Sequence, residues 1–353
     1  MLHDMKNQVR QLAQNNPLVR KAIVQAAYTF RKQSFAPIER SMREFVSRES
    51  MDKASYTRLL KEVYACTVVD RFLPQEYFLF HLAERTAAER KTFIGYYERR
   101  EICNLTPKAV WMKLTDKYQA YQLFRPFYGR EMIEIKGEAD RETFLAFCRT
   151  HPDYMVKVLR GTKGKGIYKI DADETRTPEQ VFDWMLGLGD CVVEECIRQS
   201  AEMAAYHAQS VNTIRIVTFW KENRAEILFA VFRMGVGGTV VDNAGAGGII
   251  AAVDPETGTV MSCGYREDGT TYETHPDTGV RIEGSKIPRW DELRETVEQL
   301  VQIMPEQPLV GWDLALTDAG WVMIEGNQHP SFTGIQMCTQ RGIRERVDEV
   351  FGR

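Results

Sequence analysis

The spacing of apolar positions changes along the chain and predicts a helical first third followed by short strands. Up to about residue 110, apolar residues recur every three or four positions, as at Tyr56, Leu60 and Val63, which is the repeat of one helix face. Pro74 suits the first turn of a further helix. We expect residues 1–110 to form a helical region, either a cap that packs on the rest of the chain or a docking or homodimer surface.

Beyond residue 150, short runs of β-branched and aromatic residues alternate with glycine-rich turns, a pattern typical of strands. Helical patterns intervene at Pro178–Leu188 and Arg289–Ile303. Because strands outnumber helices and many are close neighbours in sequence, the pattern predicts an α+β fold rather than a doubly wound parallel sheet. The predicted strands are Tyr154–Val158, Cys191–Glu195, Thr213–Trp220, Ala225–Arg233, Gly248–Val253, Val310–Leu316 and Trp321–Glu325.

The segment GWDLALTDAGWVMIEGN, residues 311–327, predicts a β-hairpin. Two apolar strands flank residues 318–320, which suit a three-residue loop that ends in a glycine in the left-handed conformation. Such a loop pairs Thr317 with Trp321, and the same register continues along both strands.

This register places Asp313 directly opposite Glu325, with their β-carbons about 4.5–5.5 Å apart. Asn327 follows Glu325 by two residues and therefore points to the same face. Like charges opposite each other destabilise a sheet, and a divalent cation would compensate them. Two carboxylates and an amide form an all-oxygen set that suits Mg²⁺. The alternatives are an exposed acidic hairpin or one carboxylate that its neighbour keeps protonated.

A glycine-rich turn follows the predicted strand that carries Lys157. Gly161, Gly164 and Gly166 would let the backbone approach an anion closely, and Lys165 adds positive charge. The turn is not a Walker A loop, because Ile-Tyr follows it where Lys-Ser or Lys-Thr is required. Alone, such a turn is a weak signal, but together with Lys157 and the acidic hairpin it predicts a nucleotide clamp.

Two arginines and the acidic end of one predicted strand are further candidates for residues that contact a nucleotide. Arg215 and Arg233 each share a strand face with apolar residues. Each arginine either pairs with a buried acid or holds a phosphate, which the guanidinium fork binds in a bidentate manner. The strand of residues 191–195 ends in Glu194 and Glu195, and its end is suited to present backbone groups and a carboxylate to adenine and ribose.

Length, net charge, cysteine usage and hydropathy argue against several classes of protein. A chain of 353 residues is long enough for two or three packed units, and a net charge of −3 argues against a general nucleic-acid binder. Seven scattered cysteines without a CxxC pair fit a reducing compartment. The N-terminus lacks the apolar core of a signal peptide, and no segment approaches the roughly 20 apolar residues that span a bilayer. We therefore expect a cytoplasmic protein with no membrane span.

The order of the motifs resembles that of the ATP-grasp superfamily, and within it the sugar-transfer-associated ATP-grasp family. The resemblance runs from Leu114 to Gln336 and rests on LTDKYQ, MVKVLRGTKGKGI, VVEECIRQ, SVNTIRIVTF, DNAGAGG and GWDLALTDAGWVMIEGN. It implies an ATP-grasp domain, residues 111–353, in which two mixed α/β subdomains clamp ATP. Residues 111–200 would form the nucleotide-clamping subdomain, and residues 201–353 would bind metal and substrate.

The resemblance also implies roles for individual residues. Many ligases of the superfamily have an arginine two residues before the metal-binding aspartate, where this chain has Gly311, so we expect Arg215 to supply that charge. The implied ligands of Mg²⁺, with Mn²⁺ as an alternative, are Asp313, Glu325 and Asn327. The residues implied at the reaction centre are Arg215, Arg233 and Asn243. The residues implied to contact ATP are Lys117, Lys157, Gly161, Gly164, Lys165, Gly166, Glu194, Glu195, Ile197, Gln199 and Glu202.

A protein that resembles this family is expected to be an ATP-dependent ligase that forms ADP and phosphate. It would activate a small-molecule carboxylate as an acyl phosphate and join it to an amine, which makes a C–N bond. The family's association with polysaccharide genes suggests an amino acid joined to a sugar or glycan precursor. Two alternatives stay open: an ATP-grasp kinase that phosphorylates a hydroxyl, and a nucleotide-binding assembly protein without turnover.

Overall fold

The computed structural model describes residues 2–30, 35–104, 106–159, 166–238 and 247–352. Contacts divide the chain into two units. The first unit comprises Met1–Asn104, Glu267–Thr270 and Ser331–Arg353, and the second comprises Leu105–Arg266 and Thr271–Pro330. The C-terminal segment therefore belongs with the N-terminal helices. The predicted domain limits near residues 110 and 200 stay predictions.

The N-terminal region is helical, as predicted, and local signals explain where its helices begin. Pro17 and Pro74 occupy the first turns of their helices, where a missing N–H costs no hydrogen bond. Asp52 caps another helix by accepting a hydrogen bond from the backbone N–H of Ala54 at 2.8 Å. The helices are α1 (Leu2–Asn15), α2 (Pro17–Phe30), α3 (Ala36–Met42), α4 (Lys53–Val68), α5 (Pro74–Leu79), α6 (Ala87–Thr92) and α7 (Tyr96–Cys103).

The second unit begins with three short helices and continues into an antiparallel sheet whose described strands have the order β1-β4-β2-β3. Two longer helices pack on this sheet, and Phe144, Phe182 and Met185 fill the core beneath them. The elements are α8 (Lys108–Thr115), α9 (Lys117–Leu123), α10 (Arg125–Tyr128), β1 (Met132–Ile135), α11 (Arg141–Thr150), β2 (Tyr154–Val158), β3 (Ile167–Ile170), α12 (Pro178–Leu188) and β4 (Cys191–Glu195).

A larger antiparallel sheet forms the rest of the second unit, with the described strands in the order β11-β10-β5-β6-β7-β8-β9. Leu293, Val297 and Leu300 recur at helical spacing and are buried in the core on this sheet. The elements are α13 (Ala201–Ala204), β5 (Thr213–Lys221), β6 (Arg224–Met234), β7 (Ile249–Val253), β8 (Gly264–Tyr265), β9 (Thr271–Tyr272), α14 (Trp290–Ile303), β10 (Leu309–Thr317) and β11 (Gly320–Asn327).

Two last helices, α15 (Thr333–Thr339) and α16 (Arg344–Phe351), return the chain to the first unit. Gln336 fixes α15 there, because its side-chain amide donates to the carbonyl of Ile94 at 2.9 Å and accepts from the N–H of the same residue at 2.8 Å. Within the described ranges, no helix is both long enough and apolar enough to cross a bilayer.

The predicted α+β class is confirmed, because the sheets are antiparallel and helices pack against them. All seven predicted strands are present, with ends that differ from the prediction by at most two residues. The sequence pattern missed β1, β3, β8 and β9. Each of these has four residues or fewer, which is too short for an alternating pattern to stand out.

The hairpin of β10 and β11 has a different turn from the predicted one. Thr317 pairs with Gly320, so the loop has two residues, Asp318 and Ala319, instead of three. Gly320 has a φ of 136°, which glycine adopts readily, but it belongs to β11 rather than closing the loop. The hydroxyl of Thr317 donates to the carbonyl of Gly320 at 2.8 Å and stabilises this tighter turn. The predicted pairing of Thr317 with Trp321 is therefore wrong.

A β-bulge then restores the register further along the hairpin. Leu314 pairs with Met323 and Asp313 pairs with Glu325, so Ile324 is the extra residue on β11. The shift at the turn and the shift at the bulge cancel. The predicted pairing of Asp313 with Glu325 is confirmed, although the path to it differs.

Candidate active site

Asp313 is a buried carboxylate held between two arginines. Its side chain is 2% exposed, and Arg215 lies directly opposite it across β5 and β10. Nε and Nη2 of Arg215 donate to its two carboxylate oxygens at 2.6 Å each. Nη1 of Arg233, on β6, donates to Oδ2 at 2.6 Å. Burial alone would raise the pKa of Asp313, but the two guanidinium groups hold it below its ordinary value.

Of the alternatives that the sequence left open for the arginines, pairing with a buried acid is therefore observed for both. The residue opposite Gly311 on β5 is Val217, so Arg215 lies beside Asp313 and not beside Gly311. The side chain of Arg215 keeps 20% exposure, whereas that of Arg233 keeps 10%. Arg215 is thus the more accessible of the two guanidinium groups.

Glu325 and Asn327 extend the carboxylate cluster toward solvent. The side-chain amide of Asn327 donates to Oε1 of Glu325 at 3.2 Å and to Oδ2 of Asp313 at 3.5 Å. Glu325 is exposed, so one side of the cluster is open to a ligand. Rotating the side-chain amide of Asn327 by half a turn would present its oxygen beside both carboxylates.

These three side chains carry the oxygen donors that a hard divalent cation takes, and the amide of Asn327 lies within 3.5 Å of both carboxylates. They hold only two carboxylates. Accordingly, the described part of the chain has no group of three or more His, Cys, Asp or Glu side chains placed to bind a metal. A cation held here would take its remaining ligands from water or from a phosphate, as Mg²⁺ commonly does.

A second buried ion cluster centres on Glu194 at the end of β4. This carboxylate is 2% exposed and accepts from Nη2 of Arg130 at 3.0 Å and from Nε at 3.2 Å. The ammonium group of Lys157, on the neighbouring strand β2, contacts its other oxygen. Burial opposes ionisation, but Arg130 and Lys157 hold the pKa of Glu194 below its ordinary value. Glu194 therefore holds Lys157 in position. Its carboxylate is paired with two cations and is not left unpaired to face the adenine base of a nucleotide.

Arg130 is a member of the site that the sequence analysis missed. Its Nη1 donates to the carbonyl of Met323 on β11 at 2.7 Å, so one side chain joins the smaller sheet to the hairpin of the larger one. The residue follows Gly129, which ends α10 with a φ of 57°. A Gly-Arg pair after a helix looks like an ordinary helix end. One feature of the sequence could have indicated a residue such as Arg130. Glu194 is an acid within an apolar strand, and a buried acid requires a cationic partner.

Lys117 begins α9, where Asp116 caps the helix by accepting from the N–H of Gln119 at 2.9 Å. Burial lowers the pKa of Lys117, the attraction of Glu325 raises it, and the like charge of Lys157 lowers it further. These couplings show that the structure brings the two predicted phosphate-binding lysines into one electrostatic environment with the exposed carboxylate of the hairpin.

Positive charge exceeds negative charge in this region. Four carboxylates face five cationic side chains, so the site favours an anionic ligand. The carboxylates belong to Asp116, Glu194, Asp313 and Glu325. The cationic groups belong to Lys117, Arg130, Lys157, Arg215 and Arg233.

The glycine-rich turn is described only at its end. Gly166 has a φ of 77°, and its carbonyl accepts from the N–H of Val158 at 2.8 Å, which closes the hairpin of β2 and β3. An added Cβ would lie 3.1 Å from the Val158 side chain. Glycine is therefore required here by the local backbone. Gly161, Gly164, Lys165 and Asn243 lie outside the described residues.

The predicted adenine and ribose contacts divide into two groups. Gln199 uses its amide inside the protein, because it donates to the carbonyls of His207 and Ser210 at 2.9 and 2.8 Å and accepts from the N–H of Asn212 at 2.9 Å. It organises the loop before β5, which leaves Glu202, exposed in the first turn of α13, as the available ribose candidate. The remaining two residues are half-buried at or just after the end of β4: Glu195 and Ile197.

A sequence model of the family described as sugar-transfer associated ATP-grasp matches residues 186–351. The matched residues make up just under half of the chain and are similar to that family. The match includes Glu194, both arginines and the complete hairpin with Asp313 and Glu325, and the predicted resemblance is confirmed. The family match supports an ATP-grasp enzyme in general terms. No curated protein matches the chain.

Solved structures of ATP-grasp ligases show a distant likeness in fold. The ligase PsnB, complexed with a phosphomimetic variant of its minimal precursor, Mg and ADP, is 12% identical with a TM-score of 0.43, and 69% of this chain covers 60% of that one. D-alanyl-alanine synthetase A from Vibrio cholerae O1 biovar eltor str. N16961 is 11% identical with a TM-score of 0.43, over 70% of this chain and 67% of that one.

VanG D-Ala:D-Ser ligase from Enterococcus faecalis is 13% identical with a TM-score of 0.45, over 69% of this chain and 62% of that one. The chain thus spans about three fifths of the length of the first of these structures.

Proposed function

We propose that the protein is an ATP-dependent ligase that activates a carboxylate as an acyl phosphate and couples it to an amine. The observation that carries the proposal is the paired carboxylates of Asp313 and Glu325 on adjacent strands, set among a surplus of cationic side chains. The family match over residues 186–351 supports it, because those residues include the hairpin.

Lys117 and Lys157 are assigned to the triphosphate. Lys157 is held on β2 by Glu194, so its ammonium group is positioned before the nucleotide arrives. Burial lowers the pKa of Lys117, and a polyphosphate beside it would restore the charged form. Both groups would stabilise negative charge through a fixed geometry, which is the main source of catalysis in phosphoryl transfer.

Asp313, Glu325 and Asn327 would hold Mg²⁺, and Mn²⁺ would suit the same oxygen set. When bound, the cation supplies positive charge that neutralises the phosphate oxygens. Asp313 also fixes Arg215, which we assign to the reacting phosphate because it keeps more exposure than Arg233. Asn243 stays a candidate for the same reaction centre.

The reaction needs no nucleophile from the protein. The substrate carboxylate attacks the γ-phosphate of ATP, which releases ADP and leaves an acyl phosphate. The amine then attacks the acyl carbon, and phosphate leaves. The cysteines of the nucleotide-clamping region do not compete with this chemistry, because burial raises the pKa of Cys191 to about 11 and that of Cys196 to about 12. The family description favours a sugar-linked carboxylate or amine as one substrate.

Product analysis tests the proposal. The protein is incubated with Mg-ATP and mixtures of amino acids and aminosugars, and ADP, free phosphate and new amides are measured. We expect ADP and phosphate in equal amounts with an amide product, and a loss of about a hundredfold or more in Glu325→Gln. A stable phosphoester without free phosphate would indicate a kinase instead. ATP binding without ADP formation in any mixture would indicate a nucleotide-binding protein without turnover.

A further inference from the structure

A groove of about 800 Å³ lies within the first unit, away from every residue assigned to ATP. Part of its lining is formed by α1, the first residues of α2 and the segment 70–72, which follows α4. The other residues that line it belong to α6, to α7 and to the segments beside these two helices, together with Arg344 at the start of α16. The volume is in the range of small-molecule sites, about 300–1,000 Å³. Seven of the residues that line it are Arg or Lys, and three are Asp or Glu.

The three acids are each engaged by one arginine in a two-point ion pair. These arginines are fixed in place, and their charge is balanced within the groove. The pairs are Arg20 with Asp70, Arg71 with Glu101 and Arg344 with Glu98, with shortest N–O distances of 2.6, 2.6 and 2.5 Å.

Cationic side chains still outnumber acidic ones among the residues that line the groove, although Arg90 pairs at 3.0 Å with Glu62, which is not part of the lining. Arg85 donates to two neutral oxygens, the carbonyl of Phe80 and the side chain of Gln340, each at 2.9 Å. The ammonium group of Lys91 donates to the neutral side-chain oxygen of Asn15 at 3.4 Å. A second anion would therefore be attracted to this wall of the groove.

The cationic wall is held in place by its neighbours. The guanidinium of Arg85 lies over the ring of Phe93 at 5.1 Å from its centroid. Arg344 contacts the backbone carbonyl of Lys91 and donates to that of Phe93 at 3.2 Å, which ties α16 to the end of α6. Phe72 and Phe93 are buried beneath the charges, and the exposed side chains of Pro17 and Ala87 add a small apolar surface to the lining of the groove.

We propose that this groove binds the phosphate ester of a small organic molecule. The cationic wall would take the phosphate group, whose oxygens suit the guanidinium of Arg85 and the ammonium of Lys91. The exposed side chains of Pro17 and Ala87 would contact the organic part. The proposal does not rest on the ligase chemistry, because none of its residues belongs to the ATP site.

Calorimetric titration of the full-length protein with glucose 1-phosphate tests the proposal, with glucose and glucuronate as neutral and carboxylate controls. We expect glucose 1-phosphate to bind, and Lys91→Gln and Arg85→Gln each to weaken it about tenfold, because each removes one charged contact. Lys91→Arg should retain binding, since it keeps the charge. Lys53→Gln, on an exposed lysine outside the groove, should leave binding unchanged.

Lys157→Gln separates this groove from the ATP site, because it should weaken ATP binding and leave glucose 1-phosphate binding intact. Three outcomes would overturn the proposal: no binding of glucose 1-phosphate, equal binding of glucuronate, or equal affinity in wild type and Lys91→Gln. Unfolding midpoints of all variants in urea show whether Arg85→Gln remains folded. Lys91→Gln provides the decisive comparison, because its exposed side chain makes no buried contact.

Discussion

At the scale of single residues, charge pairs separated widely in sequence organise the candidate site. Arg215 and Asp313 lie 98 positions apart, and Arg130 and Glu194 lie 64 positions apart. The residue types and strand positions of Asp313 and Glu325 could be predicted from one hairpin sequence. The partners could not, because a side chain that reaches between strands leaves no local pattern.

Asp313→Asn should destabilise the protein strongly, because it leaves the buried guanidinium of Arg233 and the half-buried one of Arg215 without their counter-charge. The expected loss in free energy of unfolding is about 3–5 kcal/mol. Glu325→Gln is the matched control, since Glu325 is exposed, and it should change stability by no more than about 0.5 kcal/mol. Urea unfolding of both variants measures the difference. Equal stabilities would contradict the structural role of the arginine pair.

Acid should destabilise the protein through Glu194 and Asp313, whose pKa values are lower in the folded chain than in the unfolded one. The stability that each contributes is present above its unfolded pKa, about 4, and is lost as the pH falls below it. The free energy of unfolding of Glu194→Gln should depend less on pH below about 4 than that of wild type. Parallel curves for both proteins between about pH 5 and pH 3 would exclude this linkage.

At the scale of elements, long strands and capped helices follow from sequence, whereas turns and short strands do not. The pattern located the strands of the hairpin but placed Gly320 in the loop, because a glycine after two loop residues suits both turn types. The bulge at Ile324 has no signature in the sequence. Two errors in register cancelled, so the pairing of Asp313 with Glu325 was correct even though the pairing near the turn was not.

Gly129 lies between α10 and β1, directly before Arg130. Replacing Gly129 should destabilise the connection between these two elements. Gly129→Ala forces a side chain into the left-handed region at a φ of 57° and places its Cβ 2.5 Å from Cγ1 of Val322. Gly279→Ala has a similar φ of 72° but meets nothing within 4 Å, so it isolates the cost of the backbone conformation. We expect Gly129→Ala to lose about 1–3 kcal/mol more stability than Gly279→Ala. Equal losses in denaturant unfolding would show that the contact with Val322 relaxes freely.

At the scale of the whole molecule, the net charge is −3, but two regions carry more positive than negative side chains. The ATP-grasp residues of the second unit and the groove of the first unit each gather more cations than acids. The argument from total composition against a general nucleic-acid binder stays a prediction, and total composition gave no indication of where anions would bind. The helical first unit was expected from its spacing, while its arginine-rich groove depends on how distant helices pack.

The central claim is that the hairpin carboxylates support a magnesium-dependent nucleotide site, and thermal unfolding with a non-hydrolysable ATP analogue tests it most directly. With analogue at 100 times its dissociation constant, the folded state should gain about 2.7 kcal/mol, which raises the melting temperature. The account predicts that this rise requires Mg²⁺ in wild type and shrinks in Glu325→Gln. No rise with Mg²⁺ and the analogue, or an equal rise in both proteins, would contradict it.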